Sequence, residues 1–211
     1  AHELPVLVVL AALAISYTLG EGLGRLACLS FGCCYGKPLK ECHWLTRKLF
    51  ANFAFVFTGA TKKAVYDGGL EGEKLLPIQA LTSILYTATA LFSTHLFLHG
   101  QYGGAFFLSL IVSQLWRFFS ETLRADFRGL GRISVYQKMS LLAVPYAGAI
   151  IFLIPAADLP LPSIIHGLST VLQPVSLIGL QLLWLTIFLI FGLSTATTST
   201  VSFQVVKTNQ D

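Results

Sequence analysis

Two arginines stand inside otherwise apolar stretches of this chain. Arg25 lies in GEGLGRLACLSFGCCYGKP, and Arg117 lies in QLWRFFSETLRADFRG. A guanidinium at the centre of a membrane helix is unfavourable by about 2.5–3.5 kcal/mol on insertion scales. Such a group is kept when it pairs, lines a polar cavity or binds a charged substrate. The plainer reading is an arginine near a helix end whose head snorkels to the interface. Arg117, Glu121, Arg124 and Arg128 are spaced at intervals of four, three and four, the spacing of one helical face, and Gln114 precedes Arg117 by three on the same face. Glu121 can pair with Arg117 or Arg124. The stripe is net positive and suited to a phosphate, which arginine grips bidentately while staying charged in a poor solvent. Exposed i,i+4 salt bridges, each stabilising by about 0.3–0.5 kcal/mol, account for Arg124 and Arg128. They do not account for Arg117, which is flanked by Trp116 and Phe118.

The segment around Arg25 carries Gly20, Gly22, Gly24, Gly32 and Gly36. Glycines in a membrane helix allow close helix approach or let the backbone open toward a ligand. Glu21, one turn before Arg25, is a candidate partner. No strand and βαβ unit surrounds these glycines, so a dinucleotide fingerprint is not met. Gln79, in LPIQALTS, either bridges helices or serves the same polar site. Cys28, Cys33, Cys34 and Cys42 lack the paired C-x-x-C spacing of a zinc ribbon, and His43 is the only histidine near them. Small buried hydrophobes are the favoured reading for these thiols; a redox or metal role is the alternative.

The elements that must hold these side chains belong to a membrane. Apolar residues make up 55 % of the 211, and charged residues only 11 %, against about 25 % in soluble domains. The predicted class is an all-α polytopic membrane protein with about five transmembrane helices. Apolar runs over 4–19 (continuing toward Tyr35), 78–98, 102–123, 136–154 and 174–193 can each cross the bilayer. The last is apolar all round and reads as a lipid-facing anchor. Residues 155–173 read as a proline-punctuated surface connection. Residues 37–76 are too long for a hairpin and too polar for a span. They predict a small surface head between the first and second spans, with a β-hairpin and turns at Thr58-Gly59 and Asp67-Gly68-Gly69.

Twelve of the fourteen Lys and Arg fall in the 37–74 and 124–138 loops and the tail. The two basic loops are separated by two spans and share one side. Taken alone, the positive-inside rule places that side in the cytoplasm, whereas a patch that binds anionic lipid leaves the same mark. The chain begins with Ala1 and shows no basic region before its first apolar run, which reads as the interior of a longer protein.

The polar positions, taken in order, resemble the prolipoprotein diacylglyceryl transferase family of bacterial inner-membrane enzymes. GRLACLSFGCCYG is similar to that family's G-R-I-G-N-F-x-N-G-E-x-Y-G, with Gly24, Arg25, Gly32, Tyr35 and Gly36 matching. LPIQALTS resembles H-P-S-Q-L-Y-E through Pro77 and Gln79. WRFFSETLRAD resembles F-R-F-x-x-E-x-x-R through Arg117, Phe118, Glu121 and Arg124, and RISVYQKMSLL keeps Ser134 and Gln137 in register. The likeness runs from about Leu13 to Ile154. There are departures. Cys28 and Cys33 replace an Asn and a Glu, Leu76 replaces a His, Thr82 and Ser83 replace a Tyr-Glu pair, and Ser113 stands where a Tyr is expected. Asp67-Gly68-Gly69-Leu70 resembles the family's H-G-G-L in letters but falls in the wrong order.

The resemblance implies a transferase core over 1–154, with its head at 37–76, and an added C-terminal helix and tail over 155–211. It implies transfer of a diacylglyceryl group from phosphatidylglycerol to the cysteine of a prolipoprotein signal peptide, in the bacterial inner membrane. The head would face the periplasm, its basic charge serving the anionic lipid. The implied catalytic residues are Arg25, Arg117 and Glu121, and the implied substrate-binding residues are Tyr35, Gln79, Gln114 and Arg124. No cofactor, metal or nucleic acid is expected. Two other readings stay open: a non-catalytic phospholipid-binding protein of the same fold, and a thiol redox or metal-binding membrane protein.

Overall fold

The computed structural model describes residues 5–126, 133–154 and 161–191. The chain divides into two compact units, Ala1–Leu161 and Pro162–Asp211. In the first unit, the long helices are α1 (Val6–Phe31), α4 (Ile78–Leu98), α5 (Tyr102–Thr122) and α6 (Val135–Leu153). Helix α1 packs on α4 and α5, α4 packs on α5, and α5 packs on α6.

The helices of the two units differ in how apolar they are. Helices α1, α4 and α6 are long and apolar enough to cross a membrane. Helix α5 has 21 residues but is less apolar, because Ser109, Ser113, Gln114, Arg117, Ser120 and Glu121 fall within it. In the second unit, α7 (Ile164–Val171) and α8 (Pro174–Phe191) pass the same test only as a pair, bent by 70°. Among the described residues, three helices, or four spans with the bent pair counted as one, are thus long and apolar enough by themselves to cross a membrane. Helix α7 lies where a proline-rich connection was expected. Its side chains, and nearly all of those on α8, are exposed.

The packing surfaces of the first unit differ along its length. At one end, Leu7, Ala11, Ala14, Tyr102, Ala105, Phe106 and Ala147 form an apolar core. Small residues there let α5 approach both α1 and α6 closely. Further along α1, Gly22 faces α4, where a Cβ would lie 3.0–3.2 Å from Thr87 and Tyr86 atoms. Buried polar residues then knit α4 to α5. The Tyr86 hydroxyl donates to the Ser113 carbonyl at 2.8 Å, and Trp116 Nε1 donates to Thr82 Oγ1 at 2.8 Å.

Residues 32–77 form a folded segment between α1 and α4. It contains a 3-10 turn at Leu39–Glu41, the short helices α2 (Trp44–Phe50) and α3 (Lys63–Tyr66), and strands β1 (Phe55–Val56) and β2 (Lys74–Leu75). The strands pair antiparallel, Phe55 opposite Leu75. They are not joined by the tight hairpin the turn signals suggested, because α3 lies between them. Its apolar core is Tyr35, Phe57, Ala64 and Leu75.

Two backbone hydrogen bonds tie this segment to the end of α5. Lys37 N–H donates to the Leu123 carbonyl at 2.9 Å, and Ala125 N–H donates to the Tyr35 carbonyl at 3.1 Å. Gly36 and Arg124 thereby form an isolated antiparallel bridge. Gly36 is needed there, since a Cβ would meet the Leu76 carbonyl oxygen at 2.4 Å.

Candidate functional site

A cavity of about 220 Å³ opens among these elements, lined in part by Arg25, Cys34, Gln79, Arg117, Glu121 and Arg124. Each residue arrives from a different constraint. Arg25 projects from the last third of α1. Gln79 sits in the first turn of α4, just after Pro77. Arg117 and Glu121 lie one turn apart near the end of α5. Tyr136, from the first turn of α6, completes the wall with Thr82, Tyr86 and Ser120.

Arg124 reaches the cavity differently from the expected continuous helical face. Helix α5 stops at Thr122, and the Gly36 bridge then carries Arg124 in. Its guanidinium forms a two-pronged pair with Asp126, Nε to Oδ1 at 2.8 Å and Nη2 to Oδ2 at 2.9 Å. Burial alone draws the Arg124 pKa down. The Asp126 hydrogen bond and the nearby Cys34 and Asp126 charges outweigh it, so the group titrates above its ordinary value. Arg128, the last member of the expected stripe, lies outside the described residues.

Arg117 is held by aromatic side chains. Its Nη1 donates to the Tyr17 hydroxyl at 3.4 Å, and its guanidinium carbon stands 5.8 Å from the Tyr136 ring centroid, within the range of a cation–π contact. The ion pairs among the described residues are Lys40–Glu73, Lys63–Asp67 and Arg124–Asp126. The salt bridge expected between Glu121 and Arg117 or Arg124 is not among them, nor is the one expected between Glu21 and Arg25.

Gln79 is 1 % exposed. Its Nε2 donates to the Cys33 carbonyl at 2.9 Å, which bridges α4 to the turn after α1. Its Oε1 is buried and has no hydrogen-bond partner among the described residues. Leaving a buried acceptor unpaired is unfavourable by about 1–3 kcal/mol, so a donor supplied by a ligand would be favoured at that point of the wall.

Two expected site residues stand elsewhere. The Tyr35 side chain is 3 % exposed and fills the apolar core of the 32–77 segment, while its backbone carbonyl accepts from Ala125 N–H. Gln114 is half-buried on α5 and is not on the cavity wall. Thr82, Tyr86, Ser120 and Tyr136 are wall residues that the sequence alone does not single out as such. The signal for two of them is present, because Gln79, Thr82, Tyr86, Thr89 and Ser93 recur at helical spacing on α4 and are all buried.

Cys34 is on the wall as well. The Cys28 and Cys33 thiols beside it, and then the Arg124 and Arg25 guanidiniums, favour its thiolate over the opposing effect of burial and hold its pKa below the usual thiol range. Hydrogen bonding to Cys28 and then to Cys34, followed by burial, pushes the Cys33 thiol above that range.

The arrangement converges three guanidiniums on a small recess between helices, which fits it for an anion with oxygen acceptors. Comparison with curated proteins and with solved structures gives no match. The family described as prolipoprotein diacylglyceryl transferase matches residues 1–154. That match takes in every wall residue of the cavity and most of the chain, and the protein therefore belongs to the prolipoprotein diacylglyceryl transferase family, a family of membrane transferases of lipoprotein biosynthesis.

Proposed function

We propose that this chain transfers the diacylglyceryl group of phosphatidylglycerol to the cysteine thiol of a prolipoprotein signal peptide, in the inner membrane of a bacterium. The acceptor thiolate attacks the glyceryl carbon that bears the phosphate ester. A carbon–sulfur bond forms, the carbon–oxygen bond breaks, and glycerol phosphate leaves with the electron pair. The protein's part is to hold the phosphate and stabilise the charge that grows on it, a role that is often the largest catalytic contribution.

The observation that carries this reading is the meeting of Arg25 from α1, Arg117 from α5 and Arg124 from the bridge just after α5 on one cavity. Arg25 and Arg117 face the phosphate, and Arg124, fixed by Asp126, completes the cradle. Tyr17 and Tyr136 hold Arg117 in place, and Glu121, one turn on, offsets part of its charge. Gln79 Oε1 accepts from a glycerol hydroxyl. At about 220 Å³ the cavity is below the roughly 300–1,000 Å³ of sites that engulf a drug-sized ligand. It suits the headgroup alone, with the acyl chains left among the lipids outside.

A second reading has a specific observation behind it. Where the family motif carries an Asn and a Glu, this chain has Cys28 and Cys33, so the anion site is compatible with phospholipid binding without transfer. One experiment separates the two. Purified protein is given phosphatidylglycerol labelled in its acyl chains and a peptide containing a lipobox cysteine. Transfer by the native chain that falls in both Arg25→Ala and Arg117→Ala supports the enzyme. Transfer unchanged by both substitutions removes the proposed site. Lipid binding by the native chain without any transfer establishes the second reading.

A further inference from the structure

Three thiols meet at the edge of the cavity. Cys28 is in the last turn of α1, and Cys33 and Cys34 come directly after its cap at Gly32. Their sulfur atoms all lie within 4.8 Å of one another, and the Cys28 and Cys34 sulfurs are 3.9 Å apart. A tetrahedral zinc ion with bonds of about 2.3 Å to sulfur separates its ligands by about 3.8 Å. The triangle is thus already close to the dimensions of a ligand cage. It is also the only group of three or more His, Cys, Asp or Glu side chains so placed among the described residues.

The backbone around the triangle is over-determined. Cys34 has φ 55 and is the one non-glycine residue with a positive φ among the described residues. That conformation is unfavourable for an L side chain and persists where surrounding contacts impose it, often at functional sites. Here Cys33 N–H donates to the Cys28 carbonyl at 3.1 Å, and the Cys33 carbonyl accepts from Gln79. The backbone bonds made by Tyr35 and Lys37 pin the chain on the other side of Cys34. The charges also fit. Three thiolates and one divalent ion sum to a single negative charge, and the Arg25 and Arg124 guanidiniums line the same cavity as Cys34.

We propose that Cys28, Cys33 and Cys34 form a three-thiolate site for a thiophilic divalent cation of the zinc type, with its fourth position on the cavity side taking the acceptor thiol. Cys34 is the member of the triad on the cavity wall, which places that position within reach of a molecule in the cavity. Three protein ligands and one open position is the arrangement of reactive zinc, whereas a closed set of four is structural. Binding of the acceptor exchanges its S–H bond for a sulfur–metal bond, and the proton passes to water. The metal site stands on the geometry alone; its fourth ligand rests on the transferase reading.

The test uses the full chain, reduced and in detergent, with Co²⁺ as the spectroscopic probe. One Co²⁺ per chain is expected, with thiolate-to-cobalt charge-transfer and tetrahedral ligand-field bands that Zn²⁺ abolishes by displacement. Affinity falls at least tenfold in Cys28→Ser and Cys34→Ser and is unchanged in Cys42→Ser, whose native sulfur contacts the Pro38 carbonyl instead. A variant-free measurement guards against misfolding: Zn²⁺ should shield Cys28, Cys33 and Cys34 of the native chain from alkylation and leave Cys42 reactive. A cysteine peptide, but not its serine analogue, should then strengthen the charge-transfer band as a fourth thiolate joins three.

No stoichiometric binding, binding that survives Cys34→Ser, or alkylation indifferent to Zn²⁺ overturns the metal site. Bands unmoved by the cysteine peptide overturn the fourth ligand. Lipid transfer that proceeds without a cobalt site sinks this inference alone, and a cobalt site in a chain without transfer sinks the transferase reading alone.

Discussion

The two ends of the first unit are built from the same helices and do opposite things. Near Leu7, α5 packs against both α1 and α6 through Ala11, Ala14, Ala105 and Ala147, with the Tyr102 ring as the one aromatic bearing a polar tip in that core. Near Arg25, the same α1 faces Gln79, Thr82 and Tyr86 of α4 and Arg117 and Glu121 of α5. Small apolar residues let helices close completely, because van der Waals contact is the main association force in lipid. Large polar residues keep them from closing and leave a recess that a charged headgroup can fill. One end supplies rigidity, and the other uses it to hold guanidiniums where they would not stay in an isolated helix.

Substitutions should separate these contributions. The largest effect is expected at the polar end: Arg117→Ala should lower the transfer rate about 100- to 1,000-fold, the scale of losing one charge-stabilising donor. Arg117→Lys should recover only part of it, since a point charge lacks the planar fork. Radiolabel transfer at saturating lipid measures both, and a loss below about tenfold in the alanine variant would show that Arg117 is peripheral.

Overpacking the apolar end is the next test. Ala105 is fully buried, and Ala105→Leu should destabilise the protein by about 1–3 kcal/mol. The rate per folded molecule should be nearly unaltered. Denaturation in mixed micelles gives the first quantity and activity normalised to folded protein the second; a rate loss matching that of Arg117→Ala would mean the two ends are not separable. A smaller effect belongs to Gln79→Leu, which removes the unpaired Oε1 and should raise the KM for lipid about tenfold, the scale of one hydrogen bond of roughly 1.4 kcal/mol. An unchanged KM would mean that no ligand donor reaches Oε1. Gly20→Ala should do least, within about 0.5 kcal/mol of native stability, because nothing among the described residues lies within 4 Å of the added carbon. A clear loss of stability there would assign Gly20 a contact the fold does not show.

Much of the polar end is legible in the sequence because it is costly. Arginines in apolar runs need a reason, so Arg25 and Arg117 stand out without any structure. Arg124 is flagged by a spacing that the fold does not use, since α5 ends two residues before it and a bridge to Gly36 brings it in. Tyr35 is open to misreading because a motif letter does not say whether the phenol or the backbone carbonyl is in use. The folded segment over 32–77 is visible as a polar interruption, but its strand pairing is long-range and skips the turns that look like hairpins. The thiol triangle is least legible. Its members follow no metal-ligand spacing, and they converge only because Gly32 and Cys34 both take left-handed backbone conformations at the end of α1.

The separation of the two membrane arginines onto different helices has a consequence for how the protein is made. Each of α1 and α5 brings a single guanidinium to the insertion machinery, at about 2.5–3.5 kcal/mol apiece, which a long apolar helix such as α1 can offset by itself. Helix α5, with its lower hydropathy, has less to offset it with and depends on α1 and α4 already waiting in the bilayer. Synthesis runs in that order, so the least lipid-compatible segment emerges when its docking surface is complete.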